Sequence, residues 1–121
     1  MAKLYLHIGL HKTASSSFQL SCAGNHKTLQ KQNIFYPLFH CPGTSHNKIN
    51  NHSIPLFSLY TTRPEAYPIN VHWGIDDIAA INQAYTQQLQ QSLKRDEDLL
   101  LSGEDIASLE ADELQQLLED L

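Results

Sequence analysis

At 121 residues, with 41% hydrophobic side chains, the chain has room for one domain or part of one, built around a modest core. Its formal charge of −5 argues against a nucleic-acid binder, which presents a basic face, although a locally positive site can still hold an anion. No apolar run approaches the ~18 residues of a membrane helix, and no signal-peptide pattern opens the chain. Cys22 and Cys41 match neither a zinc spacing nor a secreted disulfide framework, so a soluble cytoplasmic protein with reduced thiols is expected.

Across Lys3 to Leu10, Leu4, Leu6, Ile8 and Leu10 alternate with Tyr5, His7 and Gly9. Neither face is strongly polar, which predicts a central parallel strand covered on both sides. His7 reads as a half-buried histidine satisfied by a neighbour. The strand runs into Gly9, then Lys12, then the hydroxyls of Thr13, Ser15, Ser16 and Ser17, where a helical pattern begins. Strand, tight turn and helix N-terminus in that order aim several backbone N–H groups at one spot, and the helix dipole adds partial positive charge there. With the ammonium of Lys12 beside short hydroxyl donors, the stretch suits a phosphate or sulfate group. The common nucleotide triphosphatase loop, G-x-x-x-x-G-K-[ST], places its Lys after a second Gly and does not match.

Gly9-Leu10-His11-Lys12-Thr13-Ala14-Ser15-Ser16-Ser17-Phe18-Gln19 resembles instead the 5′-phosphosulfate loop of the sulfotransferase family, whose pattern is close to G-x-x-K-[ST]-G-[ST]-[ST]-x-[LI]-Q. Ala14 departs from it, standing where Gly is usual. If residue 14 needs a positive φ, Ala costs roughly 1–2 kcal/mol; if it is helical, Ala is harmless or better. The resemblance implies an α/β fold, a three-layer sandwich with a parallel sheet of the P-loop-containing nucleotide-hydrolase type. It also implies sulfuryl transfer from 3′-phosphoadenosine 5′-phosphosulfate to an acceptor hydroxyl of a carbohydrate or small molecule, without a metal. Gly9, His11, Lys12, Thr13, Ala14, Ser15, Ser16 and Ser17 would hold that donor, and Lys12 would also be catalytic.

Beyond the loop, a helix is expected from about Ser15 to Gln32, with Phe18, Cys22, Asn25 and Leu29 on one stripe and Asn25 as a buried amide with a local partner. Asn33 suits a left-handed cap, and Ile34-Phe35-Tyr36 reads as a short strand stopped by Pro37. The run from Asn25 to Pro37 again resembles the bacterial-type branch of the family, where a Gly commonly stands in place of Asn33. Leu38 to Ser45 reads as loop, with Pro42 and Gly43 as turn residues. His40, Cys41, His46 and His52 fit no zinc pattern. Ser45 to Phe57 is expected to carry a helix broken near Pro55, and its Asn51-His52-Ser53 resembles a short Asn-His element of bacterial family members.

Thr61 to Gly74, with Pro64, Pro68 and the single Trp73, reads as an irregular connection or a substrate-side loop. Asp76 is expected to cap an amphipathic helix reaching about Leu93, with Ile78, Ile81, Tyr85 and Leu89 inward and Gln87, Gln88, Gln90 and Gln91 outward. Asp98 to Ser102, around Leu99-Leu100-Leu101, predicts a buried strand. It ends in Ser102-Gly103-Glu104-Asp105, which resembles the Ser-Ser-Glu strand end of the family. Ligands of open α/β sheets bind at the carboxyl ends of strands, so Glu104 is a candidate for the site floor; equally, Ser102 and Glu104 can simply cap a helix. Leu114, Leu117, Leu118 and Leu121 predict a last amphipathic helix.

Under the resemblance, Lys12 and the loop amides neutralise charge on the oxygen bridging phosphate and sulfate, and His52 or Glu104 takes the acceptor proton. The family's clamp on the 3′-phosphate, an Arg on a later strand and a Ser on the helix after it, has no counterpart, because Arg63 and Arg95 stand in the wrong context. Residues 1–121 therefore read as the N-terminal part of a single, apparently truncated, sulfotransferase-like domain. Two other classes stay open: a non-catalytic remnant that binds an anion or nucleotide, and a P-loop kinase-like phosphotransferase. The latter would need a magnesium-binding carboxylate after a strand and a Lys in the common loop position, and neither arrangement occurs.

Overall fold

The computed structural model describes residues 3–8 and 15–121. The loop residues Gly9, His11, Lys12, Thr13 and Ala14 lie outside the described residues, as do the side chains of Ser15 and Ser16. The chain is mixed α/β, in the order β1 (Leu4–His7), α1 (Ser15–Gly24), α2 (His26–Lys31), β2 (Ile34–Phe35), α3 (Ser53–Tyr60), α4 (Pro68–His72), α5 (Ile78–Leu93), β3 (Asp98–Ser102) and α6 (Ala111–Asp120). Short 3₁₀ turns sit at Pro64–Ala66 and Glu104–Ser108. Among the described residues no helix is long and apolar enough to cross a membrane.

The three strands form one parallel sheet in the order β1-β3-β2, with Leu6 opposite Leu101, His7 opposite Ser102 and Phe35 opposite Leu99. The expectation of a parallel sheet holds, but the central strand is β3, not β1. Within the described residues β1 is an outer strand, with Leu4 37% and Tyr5 48% exposed. Alternating apolar residues state how a strand is covered above and below, and carry no information about its lateral neighbours.

One face of β3 presents Leu99 and Leu101 to Leu56 of α3, Ile81, Tyr85 and Leu89 of α5, and Leu117 of α6, all members of one core. The residues opposite in pleat phase, His7 and Ser102, meet α1: the Phe18 ring lies 4.7 Å from that of His7, and Gln19 reaches Ser102. Helices therefore pack on both faces at the carboxyl end of β1 and β3.

Several local expectations change. The helix expected over Ser15–Gln32 is two helices, broken at Asn25. Gly24 is a poor helix former, and the Asn25 side chain donates back to the Ser21 carbonyl at 2.7 Å, competing with the helical ladder. Asn25 has its local partner but is exposed, and among the described side chains of α1 Gln19 is buried deepest, at 2%, while Phe18 is 39% exposed. Asn33 does adopt the left-handed conformation, at φ 66°.

Pro55 does not break a helix. It lies in the first turn of α3, where an N–H would have no partner in any case. Upstream, an antiparallel bridge joins Phe39 of the expected loop to Ile49, inside the stretch expected to carry the helix, which starts only at Ser53. Residues 61–74 are also more regular than expected, since Pro64 opens a 3₁₀ turn and Pro68 opens α4, both using proline's preset φ at a helix start. The cap of α5 is Asp77, one residue later than expected, and it accepts from the Ala80 N–H at 3.0 Å.

In α6, Leu117 is buried and Leu118 is 54% exposed, so the helix packs by one narrow stripe. A capping box holds its start: Glu113 accepts from the Glu110 N–H at 2.9 Å and, through its other oxygen, from the Thr62 N–H at 2.6 Å. Those backbone donors, Glu110 first, hold the Glu113 carboxyl below its ordinary range. Glu113→Ala is expected to lower stability by about 1 kcal/mol, the usual worth of a helix cap. Urea unfolding at neutral pH measures it, and the deficit narrows as the pH falls through the carboxylate range, where the wild type loses the same contacts.

Candidate functional site

The sheet brings the ends of β1 and β3 side by side. The ladder continues one residue past the strands, with the Gly103 N–H donating to the His7 carbonyl at 3.0 Å. His7 Nδ1 and Ser102 Oγ are 2.8 Å apart, so the expectation of a half-buried His7 satisfied by a neighbour holds. From α1, the Gln19 amide nitrogen spans Ser102 O at 3.4 Å, Ser102 Oγ at 3.3 Å and Glu104 Oε2 at 3.3 Å. Gln19 thus ties the helix that follows the loop to the polar turn that follows β3. Glu104 is half-buried at that turn and receives the amide proton on one oxygen.

His52 occupies the other side of Ser102. Its Nδ1 accepts from the Ser102 N–H at 2.9 Å, its own N–H donates to the Ser102 carbonyl at 2.8 Å, and its Nε2 lies 2.6 Å from the Pro37 carbonyl. A backbone N–H can only donate and a carbonyl can only accept, so the ring is neutral with its proton on Nε2. It is 0% exposed and wedged between Tyr36 and Phe39, with ring centroids at 4.4 and 5.6 Å. Burial holds its pKa down to about 4. With both nitrogens engaged and no solvent access, this geometry gives His52 a structural role. In this geometry neither ring nitrogen has a lone pair free for an acceptor hydroxyl.

The turn after β3 is held from α3. Gly103 packs so closely on Ser53 that a Cβ there would lie 2.3 Å from the Ser53 nitrogen. Ser53 Oγ accepts from the Asp105 N–H at 2.9 Å, and Tyr67 donates to Asp105 Oδ2 at 3.0 Å. Residues 102–105 are therefore fixed by four segments, with the Glu104 carboxylate against Gln19 of α1 and that of Asp105 against Tyr67.

Of the residues picked out in the sequence, Glu104 lies at this edge and Ser17 is exposed in the first turn of α1. Ser15 and Ser16 begin α1, whose second turn touches Glu104. Gly9, His11, Lys12, Thr13 and Ala14 lie outside the described residues. Arg63 pairs loosely with Glu65 at 3.9 Å, and Arg95 is held by Glu97 at 2.7 Å and lies over the Phe35 ring. Sequence reasoning did not assign Gln19 or Ser53. Gln19's only signal was its place as the last residue of the motif, and for Ser53 the signal was a Gly in the middle of the strand-end tripeptide. Among the described residues no three His, Cys, Asp or Glu side chains cluster to hold a metal ion. Comparison with family models, with curated proteins and with solved structures returns no match.

Proposed function

We propose that the chain forms the donor-binding part of a sulfotransferase-like domain of P-loop sandwich type, acting on 3′-phosphoadenosine 5′-phosphosulfate and an acceptor hydroxyl. One observation carries the reading. Gln19 closes the first sequence motif and Ser102-Gly103-Glu104 is a separate motif, yet they meet through hydrogen bonds across a separation of 83 to 85 residues. Two sequence echoes that are independent along the chain share one sheet edge, the edge at which open parallel sheets bind ligands.

The donor supplies the sulfuryl group and a nucleotide phosphate as leaving group. On the protein side, Lys12 and the loop amides are suited to neutralising charge at the bridging oxygen, a kind of preorganised donation commonly worth ~10²–10³ in rate. Glu104, oriented by Gln19, is the proton acceptor for the hydroxyl, since His52 has no free nitrogen.

Lys12→Ala is expected to weaken binding of 3′-phosphoadenosine 5′-phosphate by about 10- to 100-fold, the worth of one charged hydrogen bond. Isothermal calorimetry on the two proteins reads it directly. Equal affinity for wild type and variant, or no binding by the wild type, removes the phosphosulfate reading. Glu104→Gln should leave that affinity within about twofold, because the residue is assigned to the acceptor side and a neutral amide removes no contact to the donor.

A further inference from the structure

A hollow lies between residues 45–54 and the side chain of Trp73, with a volume of about 340 Å³. That size falls within the ~300–1,000 Å³ usual for small-molecule sites. One wall is aromatic: His46 and Trp73 stack with ring centroids 3.7 Å apart and planes only 4° from parallel. The rest combines the polar side chains of Ser45, Asn47, Lys48, Asn50 and Asn51 with the aliphatic Ile49 and Ile54. Asn51 uses its Oδ1 to accept from the Ser53 N–H at 3.0 Å, which leaves its Nδ2 for another partner. Lys48 is exposed and makes no ion pair among the described residues. No carboxylate lines the hollow, in a chain whose formal charge is −5.

We infer that this cleft binds a polyhydroxylated ring bearing one negative charge, a uronate-type or sulfated sugar. Three features of the lining match parts of such a ligand. A stacked aromatic wall takes the C–H face of a ring, as aromatic surfaces do for large apolar bodies with polar edges. Uncommitted amides offer both donors and acceptors to hydroxyls. A lone ammonium in an acid-free cleft selects an anion, and a charge-assisted bond is about twice as strong as a neutral one. A cation would meet Lys48 without a compensating carboxylate.

The cleft is linked to the first site through the chain. Asn51 directly precedes His52 and Ser53, the residues that grip Ser102, Gly103 and Asp105. If the transfer reading holds, the sugar bound here is the acceptor; the binding inference itself stands on the cleft alone.

Trp73 is the single tryptophan and lines this cleft, so its emission responds to binding there; the Lys48→Met variant separates this cleft from the neighbouring hollow beside Gly74 and Asp77 that Trp73 also borders. The full chain is titrated with sodium glucuronate, glucose and sodium acetate at constant ionic strength. Glucuronate is expected to give a saturable change, glucose a change about tenfold weaker, and acetate none, a tenfold ratio being one modest charged contact. Lys48→Met, at an exposed position, should bring glucuronate down to the level of glucose while leaving glucose unchanged. The inference is overturned if glucuronate gives no saturable change, if acetate gives the same change, or if Lys48→Met keeps the preference for glucuronate. Calorimetry with 3′-phosphoadenosine 5′-phosphate on the same proteins separates the two readings. Glucuronate binding without nucleotide binding sinks the transfer reading alone, and nucleotide binding without glucuronate binding sinks this one alone.

Discussion

Gly103→Ala is expected to cost about 3 kcal/mol or more in urea unfolding at neutral pH, the upper end for forcing extra volume into a packed site. The added Cβ would lie 2.3 Å from the Ser53 nitrogen, 2.5 Å from its Oγ and 2.8 Å from its Cα. Two of those three atoms are backbone, and neither swings aside as a flexible side chain would. Ser53 is also held in place, its N–H by Asn51 Oδ1 at 3.0 Å and its Oγ by the Asp105 N–H at 2.9 Å. The demand is for space alone, because Gly103 has φ −167°, extended backbone open to any residue. Gly24→Ala is the control: nothing lies within 4 Å of a Cβ there, and the residue closes α1, so it should be neutral or stabilising. If Gly103→Ala unfolds at the same urea concentration as the wild type, the contact between α3 and the turn after β3 is not as close as described.

The second large effect belongs to His52 and depends on pH. Its folded pKa of about 4 lies below its ordinary 6.5, so the native state binds fewer protons than the unfolded chain and stability falls as the pH falls. The sign follows from geometry: a proton on Nδ1 would face the Ser102 N–H, donor against donor. The loss starts near pH 6.5 and is complete near pH 4, at about 1.4 kcal/mol per unit, on the order of 3 kcal/mol in total. His52→Gln should be clearly less stable than wild type at pH 7.5, because it loses at least one of two buried hydrogen bonds. The gap between the two proteins should then shrink through that window, since glutamine has nothing to titrate. A gap that stays constant from pH 7.5 to pH 4 would show that His52 is accessible and titrates normally. That outcome would return it to candidacy as a base.

The candidate edge was partly legible in advance. Ser102-Gly103-Glu104 ends a short apolar run bounded by turn residues, which reads as a buried strand, and a polar turn at its end marks a carboxyl edge of an α/β sheet. The role of His52 was not legible, because it rests on Pro37 and on Ser102, the latter 50 residues away. A histidine beside asparagines and a serine looks the same whether it faces solvent or is sealed. Gln19 was obscured for a related reason: helical periodicity favoured Phe18 for the core, and the buried polar groups that make an inward Gln19 affordable come from the far end of the chain.

What the residues determine by themselves is set by short-range physics. Ile81, Tyr85 and Leu89 make one helix stripe because their spacing of four suits the helical period, and Leu99-Leu100-Leu101 makes a strand because the run is short and ends at Gly103. Asn33 takes the left-handed turn at φ 66° because its short amide tolerates it, and an aspartate caps α5 because its oxygen reaches a free N–H. Tertiary structure decided what those rules leave degenerate. It chose β3 over β1 as the middle strand, put Pro55, Pro64 and Pro68 at helix starts where their missing N–H is harmless, and set Gly103 against Ser53. In each case the deciding partner lies outside the local window: a strand has two edges but one pattern, a proline fits a first turn as well as a break, and the need for a missing Cβ appears only when another backbone arrives.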